Sequence, residues 1–163
     1  MKRILTALVL SISILFASGG FVFAQDFLKG VEAWEKGDFA TALREWSALA
    51  EQGNTLAQFS LGWLYEDGRG VTQNHKEAVK WYRKAAEQGF EDAQFNLGVM
   101  YMNGQGVLQN NIYAYIWVNI AASSGNAGRV KIRDIIAKKM KSADIFKAQK
   151  LARECVKKNY KGC

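Results

Sequence analysis

His75 is the single histidine of the 163-residue chain, and Cys155 and Cys163 are its two cysteines. A metal centre needs several ligands converging on one point. No second histidine or cysteine pair stands near His75, so no metal is expected, and a first-turn or surface place is. The cysteines are eight apart, too far for a C-x-x-C redox motif. Asn159 and Gly162 can turn the chain back, so a disulfide pinning the tail is expected; the alternative is a buried thiol and a free one. Acids pair at Glu66-Asp67 and Glu91-Asp92. Adjacent helix residues diverge, which makes a poor acid–base couple and a good solvated helix end. Gly68-Arg69-Gly70 and Gly104-Gln105-Gly106 are G-x-G pairs, but helices rather than strands precede them, so a dinucleotide fingerprint fails on context. No G-x-S-x-G elbow and no phosphate loop ending G-K-[ST] occurs. Neither a catalytic residue nor a cofactor is expected.

The elements that carry these residues repeat. Ala57–Asp92 placed under Ala93–Gly128 shows 16 identities in 36 positions, where chance gives roughly two or three. Both copies read A-Q-F-x-L-G-x-x-Y-x-x-G-x-G-V-x-Q-N, then continue with alanine, tryptophan, a double alanine and glycine in step. A looser copy precedes them, with a short link at Gly37-Asp38. Each repeat reads as two helices. Ala57, Leu61, Leu64 and Tyr65 form an apolar stripe at helical spacing near Thr55–Asp67. Gly68 and Gly70 end that helix, Asn74 caps the next, and Gly89 stops it. Gly62 and Gly98 fall inside helices, where glycine costs about 1 kcal/mol, and this points to a close helix–helix approach.

Such a hairpin cannot bury its stripe alone, whereas stacked neighbours can. The predicted fold is therefore all-α: a right-handed α/α superhelical solenoid with a helical C-terminal cap. Its parts are a short first repeat (27–53), repeats over 54–89 and 90–125, and a cap over 126–163. Two cap helices are predicted, near Asn126–Lys141 and Ser142–Lys158, with Ser142 as an N-cap and Asp144 in the first turn. Ala143, Phe146, Leu151, Ala152, Cys155 and Val156 make the apolar face of the last helix.

Residues 1–24 read as a secretory signal: Lys2-Arg3, an apolar run from Ile4 to Phe16, then Val22-Phe23-Ala24. Cleavage after Ala24 predicts a periplasmic or secreted protein. The alternative is an uncleaved anchor helix, since Ile4–Ala24 nearly spans a bilayer. An apolar fraction of 49% excludes wholesale disorder, and the absence of proline suits a mostly helical chain. The formal charge of +7 is unevenly placed: residues 25–126 hold eight basic and twelve acidic side chains, residues 127–163 twelve and three. A basic cap on an acidic body, together with export, argues against a nucleic-acid partner.

The motifs L-G-x-x-Y, G-x-G-V and W-Y-x-K-A-A-E-Q-G (Trp81–Gly89) resemble the Sel-one-like repeat, a branch of the tetratricopeptide-like helical repeats. The resemblance covers about Gly30 to Gly125 and implies a non-enzymatic scaffold for protein or peptide partners, often exported in bacteria. Thr72 and Leu108 stand where the family commonly has proline, and Asn74 and Asn110 where it often has an acid. Its cysteine-rich branch has a disulfide in each repeat and includes β-lactam-active members. The repeats here hold no cysteine, so a hydrolase acting on β-lactam or cell-wall substrates rests on analogy alone.

Solenoids bind partners along the concave face, lined by the first helix of each repeat. The expected partner-contacting residues there are Trp34, Gln58, Trp63, Glu66, Gln94, Val99 and Met102. Trp63 stands out as an interface anchor; its alternative is packing against the next repeat. Gln58 and Gln94 are amides suited to a peptide backbone, or equally to bridging repeats. A second reading has the basic stretch 127–163 touching an anionic polymer or membrane surface.

Overall fold

The computed structural model describes residues 26–163; the predicted signal sequence and its cleavage site lie outside them. Eight helices and no strand occur among the described residues. They are α1 (26–35), α2 (Phe39–Glu51), α3 (Thr55–Asp67), α4 (His75–Ala86), α5 (Glu91–Asn103), α6 (Asn111–Ala121), α7 (Ala127–Lys138) and α8 (Ser142–Lys157). Their boundaries follow local chemistry. The side chains of Asp38, Asn54, Asn74, Asn110 and Asn126 accept from backbone N–H groups in the first turns of α2, α3, α4, α6 and α7. Gly68 and Gly104 close α3 and α5 in the left-handed conformation, and their N–H groups donate to Leu64 O and Met100 O.

Successive helices stack as an α/α solenoid. α3 packs on α4 and α5 on α6 within the repeats, while α2 meets α3 and α4 meets α5 between them. The helical glycines mark where each hairpin closes. Gly62 lies against the ring of Tyr82, and Gly98 against Val118 Cγ2, Val118 N and Ala114 O. Gly30 does the same over the Trp46 indole, whose Nε1 donates to Phe27 O at 3.2 Å. The second glycine of each G-x-G serves stacking. Gly70 presses on the Phe39 carbonyl and Gly106 on the His75 carbonyl, backbone against backbone across a repeat boundary, at φ near 71° in both. No side chain fits there and an L-residue disfavours that φ. Two buried clusters result, one around Trp46, Leu49, Leu61 and Trp81, the other around Tyr82, Leu97, Met100 and Trp117; Trp63 and Tyr65 pack against both.

The cap departs from expectation in three ways. Ser142 is the first helical residue of α8 rather than its cap; Lys141 holds the cap position, without a side-chain hydrogen bond. The buried side of α8 is Ala148, Ala152 and Cys155, with Leu151 half-buried, whereas Ala143, Phe146 and Val156 face solvent. α8 packs chiefly on α6, so only a narrow stripe finds a neighbour. The acids Glu91 and Asp92 are not simply solvated. Arg129 of α7 donates Nη1 to Glu91 Oε2 at 2.6 Å and Nη2 to Asp92 Oδ1, and it also reaches Ala121 O, which ties the cap to the last repeat.

After α8 the chain turns through Asn159 and Tyr160, both at positive φ. Cys163 forms a disulfide with Cys155 across a Cα–Cα distance of 5.6 Å, and the Tyr160 ring lies against Gly89.

Candidate functional site, an aromatic groove on the first helices

The first three helices leave an open groove of about 240 Å³ lined by Trp34, Trp46, Phe59, Ser60 and Trp63. Trp34 comes from α1, Trp46 from α2 and the remainder from α3. Trp34 and Trp63 meet edge to face, with centroids 5.8 Å apart. One wall is fixed from beneath, because Phe59 packs against Phe90 at 5.0 Å and Tyr82 at 5.7 Å. The Arg69 guanidinium covers the rim, 5.0 Å from the Trp63 ring and 5.4 Å from Phe39, while its Nε pairs with Asp67 at 2.7 Å. Trp34 keeps 37% of its surface exposed; Trp63 is half-buried.

The structure places the other predicted contact residues differently. Gln58 and Gln94 are 4% and 1% exposed. Their Nε2 groups donate to Ala50 O at 3.0 Å and Ala86 O at 3.1 Å, the carbonyls at the end of the preceding helix. They are bridges between repeats, and a partner cannot reach amides already spent on buried carbonyls. Gln88 extends the first bridge by donating to Gly53 O and to Gln58 Oε1. Glu66 is held by Tyr82, whose hydroxyl donates to Oε2 at 2.6 Å. Burial, reinforced by that carboxylate, pushes the Tyr82 phenol far above its ordinary range. Val99 and Met102, both half-buried on α5, do not line the groove, and Met102 packs against the core.

Sequence reasoning missed Trp46 and Phe59. A uniform 36-residue shift sets Trp46 beside Tyr82 but misplaces α1, and so hides that Trp34 and Trp46 line one groove, because the link at Gly37-Asp38 is four residues shorter than its later counterparts. Shifting α1 by 32 residues instead puts Gly30 beside Gly62. Trp34 then corresponds to Glu66 and Met102. The three hairpins thus set Trp34 and Trp46, Glu66 and Tyr82, and Met102 and Val118 at equivalent positions, and the first pair lines the groove.

His75 occupies the first position of α4 and is half-buried. Among the described residues, no group of three or more histidine, cysteine or acidic side chains is placed to hold a metal. No helix among them is long and apolar enough to cross a membrane.

Comparison with known proteins agrees with this geometry. The Sel1 repeat family model matches residues 55–90 and 91–126. A protective antigen of uropathogenic Escherichia coli displaying an SLR fold, c5321, superposes with a TM-score of 0.78 at 27% identity, over 85% of this chain and 31% of that one. A Sel1 repeat protein from Oxalobacter formigenes gives 0.62 at 37% identity, over 66% and 44%. Helicobacter pylori cysteine rich protein B shares the fold at a TM-score of 0.53 and 21% identity, over 68% of this chain and 93% of its own. The yeast chitin synthase regulator SKT5, from Saccharomyces cerevisiae, is 44% identical over 63 residues, 36% of this chain. The chain spans only 8% of that regulator's length and less than half of c5321 and the Oxalobacter protein. Sel1 repeats typically mediate protein–protein interaction. With its paired glycine-closed hairpins and inter-repeat amide bridges, the chain carries two tandem Sel1 repeats, at 55–90 and 91–126, within an all-α solenoid.

Proposed function

We propose that this chain is an exported, non-enzymatic scaffold that holds a protein or peptide partner in the groove between α1 and α3. The observation that carries the reading is the edge-to-face pair of exposed Trp34 and half-buried Trp63 above a rigid aromatic floor. Tryptophan-rich pockets on a pre-formed surface are typical interface anchors, because a large rigid area is desolvated at little entropic cost. The groove is apolar with a cationic rim at Arg69, which suits an extended segment carrying an aromatic or aliphatic side chain beside an acidic one.

The test is selection of a displayed peptide library on the full chain, followed by titration of the selected peptides. Trp34→Ala removes an exposed wall without disturbing the core and is expected to weaken binding at least tenfold; Trp63→Ala is expected to weaken it further. Selected peptides that bind both variants as tightly as the parent would place the partner site elsewhere. Export after removal of residues 1–24 is part of the same proposal. Expression of the full chain in a Gram-negative host is expected to yield periplasmic protein whose first residue is Gln25, and retention of Met1 in the cytoplasm would count against it.

A further inference from the structure

The outward face of α8 is the most unusual surface outside the groove. Phe146, Lys150, Arg153 and Lys157 follow one another at i, i+4, i+7 and i+11, so they share one stripe, opposite the buried Ala148, Ala152 and Cys155. All four are exposed, Phe146 at 68%, and Val156 beside them at 46%. Among the described residues, none of the three cations on this stripe enters an ion pair. The acids of the cap offer little compensation. Asp134 is already paired with Arg133, Asp144 lies on the opposite side of α8, and Glu154 is the one acid bordering the stripe, i+4 from Lys150 and without an ion pair to it.

We propose that this face docks α8 in the plane of a bilayer surface bearing anionic phospholipid headgroups. The charge is complementary: residues 127–163 carry twelve basic against three acidic side chains. The apolar residues distinguish this occupant from others. A large exposed phenylalanine and a valine set among lysines and an arginine match an interfacial helix, whose apolar groups enter the headgroup–acyl boundary while cations meet phosphates. A soluble polyanion makes no use of Phe146, and a second copy of the same face brings like charges together. The proposal is independent of the groove, which lies at the opposite end of the solenoid in α1 to α3.

The test uses the full chain carrying Phe146→Trp, read as the difference from the parent with its five native tryptophans. This readout is local to α8 whatever other segments do. On vesicles of equimolar phosphatidylglycerol and phosphatidylcholine, the added indole is expected to shift to the blue and to be quenched by lipids brominated near the headgroup. Raising NaCl from about 0.1 M to about 1 M, which shortens the Debye length from about 10 Å to about 3 Å, is expected to abolish the effect. Adding Lys150→Glu and Arg153→Glu is expected to weaken vesicle binding at least twenty-five-fold, at about fivefold per charge. These residues are exposed, so an unchanged melting curve is expected in every variant. An indole that stays unshifted and unquenched would overturn the proposal. So would equal binding to pure phosphatidylcholine, full affinity in the charge-reversed variant, or a shift caused only by dextran sulfate or by self-association.

Discussion

The Tyr82 hydroxyl donates to Glu66 Oε2 at 2.6 Å across the α3–α4 hairpin, one helical turn beyond the glycine on which the Tyr82 ring rests. The corresponding residues of the next repeat are Met102 and Val118, which are both apolar. One position in the hairpin thus holds a charge-assisted hydrogen bond in one repeat and two apolar side chains of the core in the next. Mixing the two solutions strands a polar group. Glu66→Met and Tyr82→Phe are each expected to destabilise by about 1–3 kcal/mol, and the double variant by less than the sum. Urea denaturation of the four proteins measures the coupling, and strict additivity would show that the bond contributes nothing.

Burial and the Glu66 carboxylate both hold the Tyr82 phenol neutral. An ordinary tyrosine ionises near pH 10. Above that pH the unfolded chain releases a proton that the folded chain keeps, so stability is full below it and falls as the pH rises. Alkaline titration at 295 nm is expected to leave the Tyr82 phenol silent until the chain unfolds. In Tyr82→Phe the silent phenol disappears.

The helical glycines are expected to resist the substitution that helix propensity favours. Alanine gains about 1 kcal/mol as a helix former. At Gly98 its Cβ would sit 2.6 Å from Val118 Cγ2 and 3.0 Å from Val118 N, and a backbone atom cannot step aside. Gly98→Ala is expected to cost about 2 kcal/mol net, read from the denaturation midpoint. A neutral or stabilising result would mean that the helices can separate freely.

Gln94 tests the inter-repeat bridge. Gln94→Ala removes one of two donors to Ala86 O, which keeps the Gly89 N–H, at an expected cost of about 0.5–1.5 kcal/mol. Peptide binding in the α1–α3 groove is expected to be unchanged by it, since the amide faces the interior. A loss of binding with no loss of stability would return Gln94 to the partner surface.

The disulfide closes a loop of nine residues, which by loop entropy is worth roughly 2–3 kcal/mol. Reduction, or Cys163→Ser, is expected to lower stability by that order and to free Tyr160 from Gly89. Hydrogen exchange of the α8 C-terminus reports it directly.

Much of the fold is legible in the sequence because it is local and repeated. The asparagine caps, the glycines at helix ends and the 36-residue recurrence each act within a few residues of where they stand, so α3 begins and ends where its residues say. The repeat also explains why Gly62 and Gly98 lie inside helices, since a contact made twice leaves its mark twice. Other features depend on what a side chain meets. Nothing local separates Gln58 from an accessible amide; only stacking brings Ala50 O within its reach. Glu91 and Asp92 diverge along their own helix, yet they converge on Arg129 from 37 and 38 residues away. The apolar face of α8 is wider than the stripe α6 covers, and periodicity alone cannot tell which residues a single neighbour will leave outside. The sequence by itself determined the helices, their order and their repeat, since caps, propensity and apolar spacing are local. Tertiary structure alone decided which side chains are buried bridges and which remain free for a partner, because burial depends on what the rest of the chain brings alongside.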